Sequence, residues 1–462
     1  MCSRTGTSRS AAPAALLVLL LPLLWFLTAC DEGLRGSPAS TPPWKVGFWL
    51  WPGAAVEAAA AGKHPFDLLY VQAGRADSYF KNSVSWQWPQ QLPPAAEYWA
   101  LWRYDPPAQP ADGQIAVIAG DFLKRREEAA AQGQTLVGIQ LDYDCPTEGL
   151  AEYAAFLDKL RKALPDGTRV SITALLDWFR PGTGIRDVLA RTSEFVPQFY
   201  DTAPPSDGQL RAIAEPIDAA RLGPVFNSFG IPYRVGITSF GRIALNSGGT
   251  ARFFRDLAPL DVLDRPGLKR LSTGQTPSGE ERSVMRVERP MVLDLSDTSY
   301  WNLKPGDQIE LIMPTRRSVL AAYDAAKKLG GFCAGVVFFR WPSAQEVLVL
   351  NPAQLLGWVG RAEIVPGPPA VASAEGDCAA VSCQDLELRI ADRMPEKPVV
   401  FRIRSSLPLE YFLPNPRYRS RITVTGTSGI RVALPASHGA GSLYLGRAVT
   451  LRAAQFTVTE GK

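Results

Sequence analysis

Short apolar runs alternate along most of the chain with segments whose apolar residues recur at helical spacing. The helical pattern is clearest over residues 113–132, 150–164 and 315–329. The candidate strands are residues 45–51, 67–72, 98–104, 136–143, 169–176, 194–200, 233–240 and 333–341. Eight strands separated by helical or irregular segments predict an α/β chain folded as a (β/α)8 TIM barrel over residues 44–360.

The stretch between the seventh and eighth strands is too long for one crossover helix. Residues 241–314 are rich in Arg, Gly and Pro and include Trp301. We interpret them as an insertion on the face of the barrel where the strands end. Long insertions at that face usually shape a binding cleft.

The last hundred residues have a different pattern. A Pro-, Ala- and Gly-rich linker is predicted at 361–376, and residues 377–462 alternate apolar and polar positions, as in half-buried strands. We expect a small all-β, sandwich-like domain there. It could be a carbohydrate-binding module or a structural spacer, and the scarcity of clustered aromatic residues favours the spacer.

The N-terminus predicts export. Arg4 and Arg9 precede an apolar stretch that ends in Leu-Thr-Ala-Cys at Cys30. Residues 1–29 resemble a bacterial lipoprotein signal peptide, which implies cleavage before Cys30 and lipidation of its sulfur. An uncleaved membrane anchor is the alternative. Residues 30–43 would then be a tether, and the protein would lie in the bacterial cell envelope, anchored to a membrane and facing the periplasm.

Charge and composition exclude several classes of function. A formal net charge of +4 on 462 residues, without a Lys/Arg run interleaved with aromatic residues, gives no basis for nucleic-acid binding. The chain has two histidines, His64 and His438, too few for a histidine-rich zinc site. It also has no phosphate-binding glycine-rich loop, so we expect no metal and no cofactor.

Four cysteines remain if the signal peptide is removed and Cys30 is lipidated. Cys378 and Cys383 are close enough in sequence to form a disulfide in an oxidising compartment. Cys145 follows one predicted strand and Cys333 begins another, so a parallel barrel would place them at opposite rims. We do not expect these two to pair.

Carboxylates are the main candidates for chemistry. Asp142 and Asp144 end the fourth predicted strand at spacing i, i+2, so both side chains would project from the same face, roughly 7 Å apart. Asp177 and Asp201 follow the next two strands. Acids at such positions can simply cap loops, but four of them converging on the C-terminal face of a barrel favour a functional cleft.

The ordered strand motifs resemble the family 18 glycoside hydrolases, which include the chitinases. The sequence GIQLDYD at 138–144 is similar to the DGxDxDWE strand of that family. Similar matches to its fifth to eighth strands follow in order at 171–175, 197–201, 236–242 and 335–341. The sequence also resembles a group of bacterial barrel proteins of the DUF3142 type, whose function is not known.

The resemblance implies roles for individual residues. Asp144 would protonate the leaving oxygen, and Asp142 would orient the substrate's N-acetyl group, whose carbonyl acts as the nucleophile in a retaining, substrate-assisted mechanism. Tyr200 and Asp201 would hold the acetamido group, and Trp341 would form the floor under the sugar. The remaining candidate substrate-binding residues are Trp49, Trp51, Asp177, Trp178 and Arg242.

Two residues depart from the family pattern. Gln140 stands where the family usually has an acid, and Asp144 stands where it has the longer catalytic Glu. A misplacement of about 1 Å can cost on the order of a hundredfold in rate. Three functions therefore stay open: an envelope hydrolase of an amino-sugar polysaccharide, a glycan-binding protein that has lost the acid, and a lipid-anchored scaffold.

Overall fold

Eight parallel strands close into a barrel in the computed structural model of this chain. Pairing runs in the order β1-β2-β4-β5-β6-β7-β8-β16 and returns from β16 to β1. The barrel strands are β1 (Lys45–Leu50), β2 (Leu68–Ala76), β4 (Glu97–Tyr104), β5 (Leu136–Tyr143), β6 (Arg169–Ala174), β7 (Glu194–Pro197), β8 (Tyr233–Thr238) and β16 (Cys333–Phe339). The short strand β3 (Val84–Ser85) pairs antiparallel with β2. The predicted TIM barrel is confirmed.

The structure describes most of the chain from residue 42 onward. The described ranges are 42–54, 66–76, 84–105, 108–200, 212–248, 250–254, 257–263, 265–294, 300–343, 346, 348–362, 368–390, 398–434 and 441–461.

The three clear helical patterns of the sequence form helices beside the barrel. The helices are α1 (Ile115–Ala131), α2 (Leu150–Ala163), α3 (Ile185–Leu189), α4 (Ala219–Asn227), α5 (Pro259–Val262), α6 (Arg316–Lys328) and α7 (Pro352–Trp358). Helix α2 illustrates why these segments form helices that pack on the barrel. Its apolar residues share one face and are buried: Leu150, Ala154, Leu157 and Leu160. Among the described residues, no helix is long and apolar enough to cross a membrane.

Strand β5 is buried on both faces, as expected of a strand inside a parallel barrel. Its outer side chains pack under the helices, while Gln140 and Asp142 point into the barrel, where they contact Trp49 and Thr173. Gly138 is required by close packing, since a Cβ there would lie 2.3 Å from the carbonyl oxygen of Arg169. Local sequence and packing together therefore present Asp142 at the mouth of the barrel.

The insertion between β8 and β16 is mainly antiparallel sheet. One five-stranded sheet has the order β10-β9-β15-β12-β11, and a separate hairpin pairs β13 with β14. The strands are β9 (Arg242–Ser247), β10 (Thr250–Phe254), β11 (Leu268–Gln275), β12 (Glu281–Val287), β13 (Met291–Asp294), β14 (Tyr300–Leu303) and β15 (Gln308–Met313). Because β9 follows the C-terminal end of β8, the insertion lies on the face predicted for it.

The C-terminal region forms two four-stranded antiparallel sheets, so the predicted all-β region is confirmed. Their orders are β17-β18-β23-β20 and β21-β22-β19-β24. The strands are β17 (Ala370–Gly376), β18 (Ser382–Ile390), β19 (Val399–Ser405), β20 (Tyr411–Pro414), β21 (Ile422–Thr425), β22 (Gly429–Leu434), β23 (Gly441–Thr450) and β24 (Phe456–Gly461). Strand β17 lies inside the predicted linker 361–376, because this weakly alternating stretch pairs along its whole length with β18.

A disulfide joins Cys378 and Cys383, whose Cα atoms are 5.9 Å apart. Cys145 and Cys333 are free and buried. Burial raises the pKa of the Cys145 thiol to about 11 and that of Cys333 to about 12. Both thiols therefore stay protonated at neutral pH, so neither is a thiolate nucleophile.

A buried ionic cluster fills the barrel near the N-terminal ends of its strands. The Glu194 carboxylate is fully buried and accepts hydrogen bonds from Arg234 and from the Tyr70 hydroxyl. Arg169 lies 3.3 Å from the same carboxylate. Burial and the adjacent Glu194 raise the pKa of Tyr70, so the phenol remains a donor. The cluster lies at the opposite end of the barrel from Asp142.

Candidate functional site

Asp142 and Asp144 lie at the C-terminal end of β5. Asp142 is only 4% exposed, and three polar side chains contact its carboxylate. Arg103 donates to Oδ2 at 2.5 Å, Thr173 donates to Oδ1 at 2.9 Å, and the Gln198 amide lies 3.5 Å from Oδ1. Asp142 is thus fixed in orientation and neutralised by a guanidinium. Asp144 is half-buried beside it.

Strand register brings Arg103 to this position. In the β4–β5 pair, Arg103 lies directly beside Asp142. Its Nε also donates to Asp105 at 2.7 Å, so one guanidinium bridges two carboxylates. The Asp142 carboxylate raises the pKa of Arg103, and the nearby Asp144 acts in the same direction. Arg103 is therefore a permanent positive charge next to both candidate acids.

Two aromatic side chains face the acid pair. The Tyr200 ring stacks on Phe339, with ring centroids 4.7 Å apart and planes 22° from parallel. Burial is the main reason that the pKa of the Tyr200 phenol is well above its usual value, and the nearby carboxylates of Asp142 and Asp144 raise this pKa further. Tyr200 therefore keeps its proton and can donate a hydrogen bond to a bound group.

The space directly at the acids is small. A pocket of about 10 Å³ is lined by Asp142, Asp144, Tyr200, Phe339 and Arg103, with Trp49 and Trp51 among its other walls. This volume holds about one water molecule. Any larger ligand must therefore reach the acids from outside, with only its reacting atoms entering the pocket.

A larger cleft adjoins this pocket. It has a volume of about 470 Å³ and shares Trp51, Arg103 and Phe339 with the inner pocket. Its other walls come from the ends of β2 and β16 and from the insertion, including Phe253 and Arg242. A cleft of this volume is in the range that binds small organic ligands. We refer to it as the outer cleft.

Gln140 has a structural explanation. The residue is fully buried, its Oε1 accepts from the Trp49 indole at 2.7 Å, and its Nε2 donates to Ser171 at 2.9 Å. A neutral amide can accept one bond and donate the other, which a carboxylate cannot do. The amide thus fits the layer of the barrel interior that lies two residues before Asp142 on β5.

Gln140→Glu is therefore expected to destabilise the protein, and more at high pH than at low pH. A buried carboxyl without a cation has its pKa raised above the unfolded value, so its cost appears as pH rises through that unfolded value. Urea unfolding should show a loss of about 1–3 kcal/mol at pH 8 and a smaller loss at pH 5. The exposed Gln87→Glu is the control, and equal effects of Gln140→Glu at both pH values would contradict this explanation.

Trp341 lies in the wall of the outer cleft rather than beneath the acid pair. Its ring is half-buried and packs edge-on against Phe48 and Phe66, with ring centroids 5.3 Å and 5.8 Å away. Phe339, two residues earlier, occupies the position next to the acids. Strand β16 ends at Phe339, which points into the barrel, so Trp341 lies beyond the strand and need not face the same way.

Asp177 and Trp178 line neither of these two pockets. Asp177 accepts a hydrogen bond from Thr147 at 3.0 Å. Trp178 is fully buried, and its indole donates to the backbone carbonyl of Cys145 at 2.9 Å. Both residues fix the segment that follows β5 and thereby support the loop after Asp144. This is the loop-capping alternative that the sequence left open.

The remaining predicted residues divide by position. Trp49 and Tyr200 line the inner pocket, Trp51 lines both cavities, and Arg242 lines the outer cleft. Asp201, Cys30, His64 and His438 lie outside the described residues.

Sequence reasoning missed four polar or aromatic contacts of the acid pair: Arg103, Thr173, Gln198 and Phe339. Arg103 and Thr173 each lie near the end of a predicted barrel strand, which was the available signal. Selecting them required the register of neighbouring strands. Among the described residues, no cluster of His, Cys, Asp and Glu side chains could hold a metal ion.

The chain is thus a closed parallel (β/α)8 barrel with two carboxylates at its C-terminal mouth. Within it, residues 108–273 match the family model described as "Domain of unknown function (DUF3142)". The match covers less than half of the chain and includes β5 to β8 with both candidate acids. The DUF3142 resemblance is confirmed over this stretch. A comparison with curated proteins returns no match.

Several solved structures are similar to the chain. The spore cortex-lytic enzyme SleL of Bacillus cereus is 12% identical, with a TM-score of 0.42, over 69% of this chain and 75% of that one. A class V chitinase from Nicotiana tobaccum is 11% identical, with a TM-score of 0.37, over 64% and 93%. The chitinase ChiB of Flavobacterium johnsoniae is 10% identical, with a TM-score of 0.37, over 69% and 93%. The barrel architecture of this chain is established by its own strand pairing.

Proposed function

We propose that this protein hydrolyses a glycan that contains N-acetylated amino sugars. The observation that supports this most is the arrangement of Asp142, Asp144 and Tyr200 around one small pocket that opens into the outer cleft. Acid, oriented carboxylate and phenolic donor are the groups that substrate-assisted glycoside hydrolysis requires.

Each residue has a distinct role in the proposed reaction. Asp144 donates a proton to the glycosidic oxygen while the acetamido carbonyl of the substrate attacks the anomeric carbon. Asp142, held by Arg103 and Thr173, orients the acetamido N–H and stabilises the positive charge of the cyclic intermediate. Tyr200 donates its hydroxyl proton in a hydrogen bond to the acetamido oxygen. Asp144 then accepts a proton from the water that opens the intermediate.

Turnover is the direct test. The protein lacking residues 1–29 should release reducing ends from N-acetylglucosamine oligomers or from peptidoglycan glycan strands, and the newly formed anomer should keep the configuration of the substrate. Proton NMR spectra recorded during the first minutes of the reaction show whether the anomeric configuration is retained or inverted. Inversion at the anomeric carbon, or the absence of turnover on every amino-sugar glycan tried, would reject the proposal.

Glycan binding without hydrolysis is the second candidate function. The observations that favour it are the room for only about one water at the acids and the Arg103–Asp142 ion pair, which places a guanidinium near Asp144. In that case oligosaccharides would bind without being cut, and Trp51→Ala would weaken binding because Trp51 lines both cavities. Slow but complete turnover would exclude it.

The proposed location is the bacterial cell envelope, with the chain anchored to the membrane by lipid on Cys30. The N-terminal sequence pattern supports this, and the tether 30–43 would separate the barrel from the membrane surface. Cys30→Ser should leave the protein unlipidated and move it out of the lipid-anchored membrane fraction. Mass spectrometry of the N-terminal peptide is the check, and an unmodified Cys30 in the native protein would refute the anchor.

A further inference from the structure

The outer cleft has an unequal distribution of charge. Four guanidinium groups and two carboxylates line it, and Asp142 of the inner pocket pairs with one of these guanidinium groups, that of Arg103, so one positive charge is in excess over these three carboxylates. The arginines are Arg75, Arg103, Arg242 and Arg340, and the carboxylates are Asp105 and Glu346. The concave shape of the cleft concentrates the field of these charges.

The existing ion pairs hold the cationic side chains in place at the cleft wall. Asp105 pairs with both Arg75 and Arg103, and Glu346 pairs with Arg340. Arg242 is 8% exposed and lies over the Phe253 ring, 4.7 Å from its centroid. Since these side chains are ordered by their contacts, they lose little further entropy when a ligand binds.

Aromatic rings occupy the same walls. Trp51, Phe240, Phe253, Phe254, Phe339 and Trp341 all line the outer cleft. Rings of this kind pack against the apolar faces of sugars, while guanidinium groups suit planar carboxylates because they donate two parallel hydrogen bonds. Aromatic and guanidinium groups in one cleft are therefore complementary to a sugar that carries a carboxylate.

We infer that the outer cleft binds a carboxylate-bearing sugar, placed next to the sugar that reaches Asp142 and Asp144. This rests on the proposed function for the orientation of the glycan, and it adds a substrate class that the acid pair does not specify. The carboxylate could belong to a uronic acid or to the lactyl ether of muramic acid, and both offer the same planar anion to the arginines.

Calorimetric titration of chemically matched ligands tests the inference. One ligand is a tetrasaccharide alternating N-acetylglucosamine and N-acetylmuramic acid, compared with the same molecule carrying carboxamides in place of carboxylates. The second is a tetrasaccharide alternating N-acetylglucosamine and glucuronic acid, with its carboxamide counterpart. At low salt, at least one carboxylate ligand should bind about tenfold more tightly than its carboxamide, and this difference should shrink as salt is raised.

Two variants locate the effect in the cleft. Arg75→Gln and Arg340→Gln should each weaken binding of the preferred carboxylate ligand by roughly tenfold and leave binding of its carboxamide within about twofold. Arg75 is 48% exposed, so its replacement should not disturb folding. Arg161→Gln on the exposed side of α2 is the matched control and should change neither affinity.

The outcomes separate this inference from the proposed function. Equal affinity for the carboxylate and carboxamide forms of both ligands would overturn the inference, even if the glycans are hydrolysed. Charge-dependent binding that is lost in Arg75→Gln and Arg340→Gln would support it, even if no glycan is cut. Charge-dependent binding that both variants retain would place the anion elsewhere and overturn it.

Discussion

Asp144→Asn should lower kcat on the preferred glycan by about 10²–10⁴-fold and leave its binding affinity within a few fold. Asparagine has nearly the size of aspartate but no acidic proton, so the glycosidic oxygen would leave without general acid catalysis. Asp144 lines the inner pocket together with Tyr200 and Phe339, where a glycosidic oxygen entering from the outer cleft would meet it. Single-turnover rates and titration calorimetry give the two quantities separately.

Asp177→Asn provides the matched control for this change. Asp177 also follows a barrel strand, but it accepts a hydrogen bond from Thr147 and lines neither cavity at the barrel mouth. Its replacement should affect stability slightly and kcat by less than about threefold. Retained turnover in Asp144→Asn would remove Asp144 from the role of acid, and an equal loss in both variants would point to a general effect on the barrel.

The barrel could be predicted from the sequence because its strands are locally distinct. The predicted strand at 136–143 coincides with β5, and the predicted helix at 150–164 differs from α2 by one residue. Parallel strands buried on both faces appear as short continuous apolar runs, and α2 has a clear apolar face. Strand ends were less certain, because the sixth predicted strand ran to Tyr200 while β7 ends at Pro197.

The site was only partly predictable because it depends on pairs of residues distant in sequence. The spacing of Asp142 and Asp144 is local, and the sequence shows it directly. The contact of Asp142 with Arg103 spans 39 residues and that with Thr173 spans 31 residues. Both depend on strand register, which a single sequence does not specify. Without the register, the neutralising cation next to the acids could not be foreseen.

The aromatic residues show the same limit on predicting a site from a single sequence. Trp178 and Trp341 both follow barrel strands, so their sequence positions were equally suited to sugar binding. In the structure, Trp178 is fully buried with its indole bonded to a backbone carbonyl, and Trp341 is half-buried at the outer cleft. The same tryptophan ring can pack in a core or contact a ligand. Only the surroundings of each ring therefore decide which of these two roles it has.

Arg234→Met should destabilise the protein by about 3–5 kcal/mol, although Arg234 lies far from the proposed active site. Removing this guanidinium leaves the fully buried Glu194 carboxylate with the Tyr70 hydroxyl and a 3.3 Å contact to Arg169. A buried charge that has lost its partner keeps its desolvation cost without the compensating attraction. Urea unfolding at neutral pH, followed by tryptophan fluorescence, measures the change.

Adding Glu194→Gln to Arg234→Met separates the lost charge pair from lost packing volume. The glutamine carries no charge, and its amide oxygen can still accept a hydrogen bond from the Tyr70 hydroxyl, so the double variant should recover at least half of the lost stability. Lys162→Met, which breaks an exposed pair with Asp158, should leave the free energy of unfolding almost unchanged. A double variant no more stable than Arg234→Met would show that packing, rather than the unpaired Glu194 charge, sets the loss.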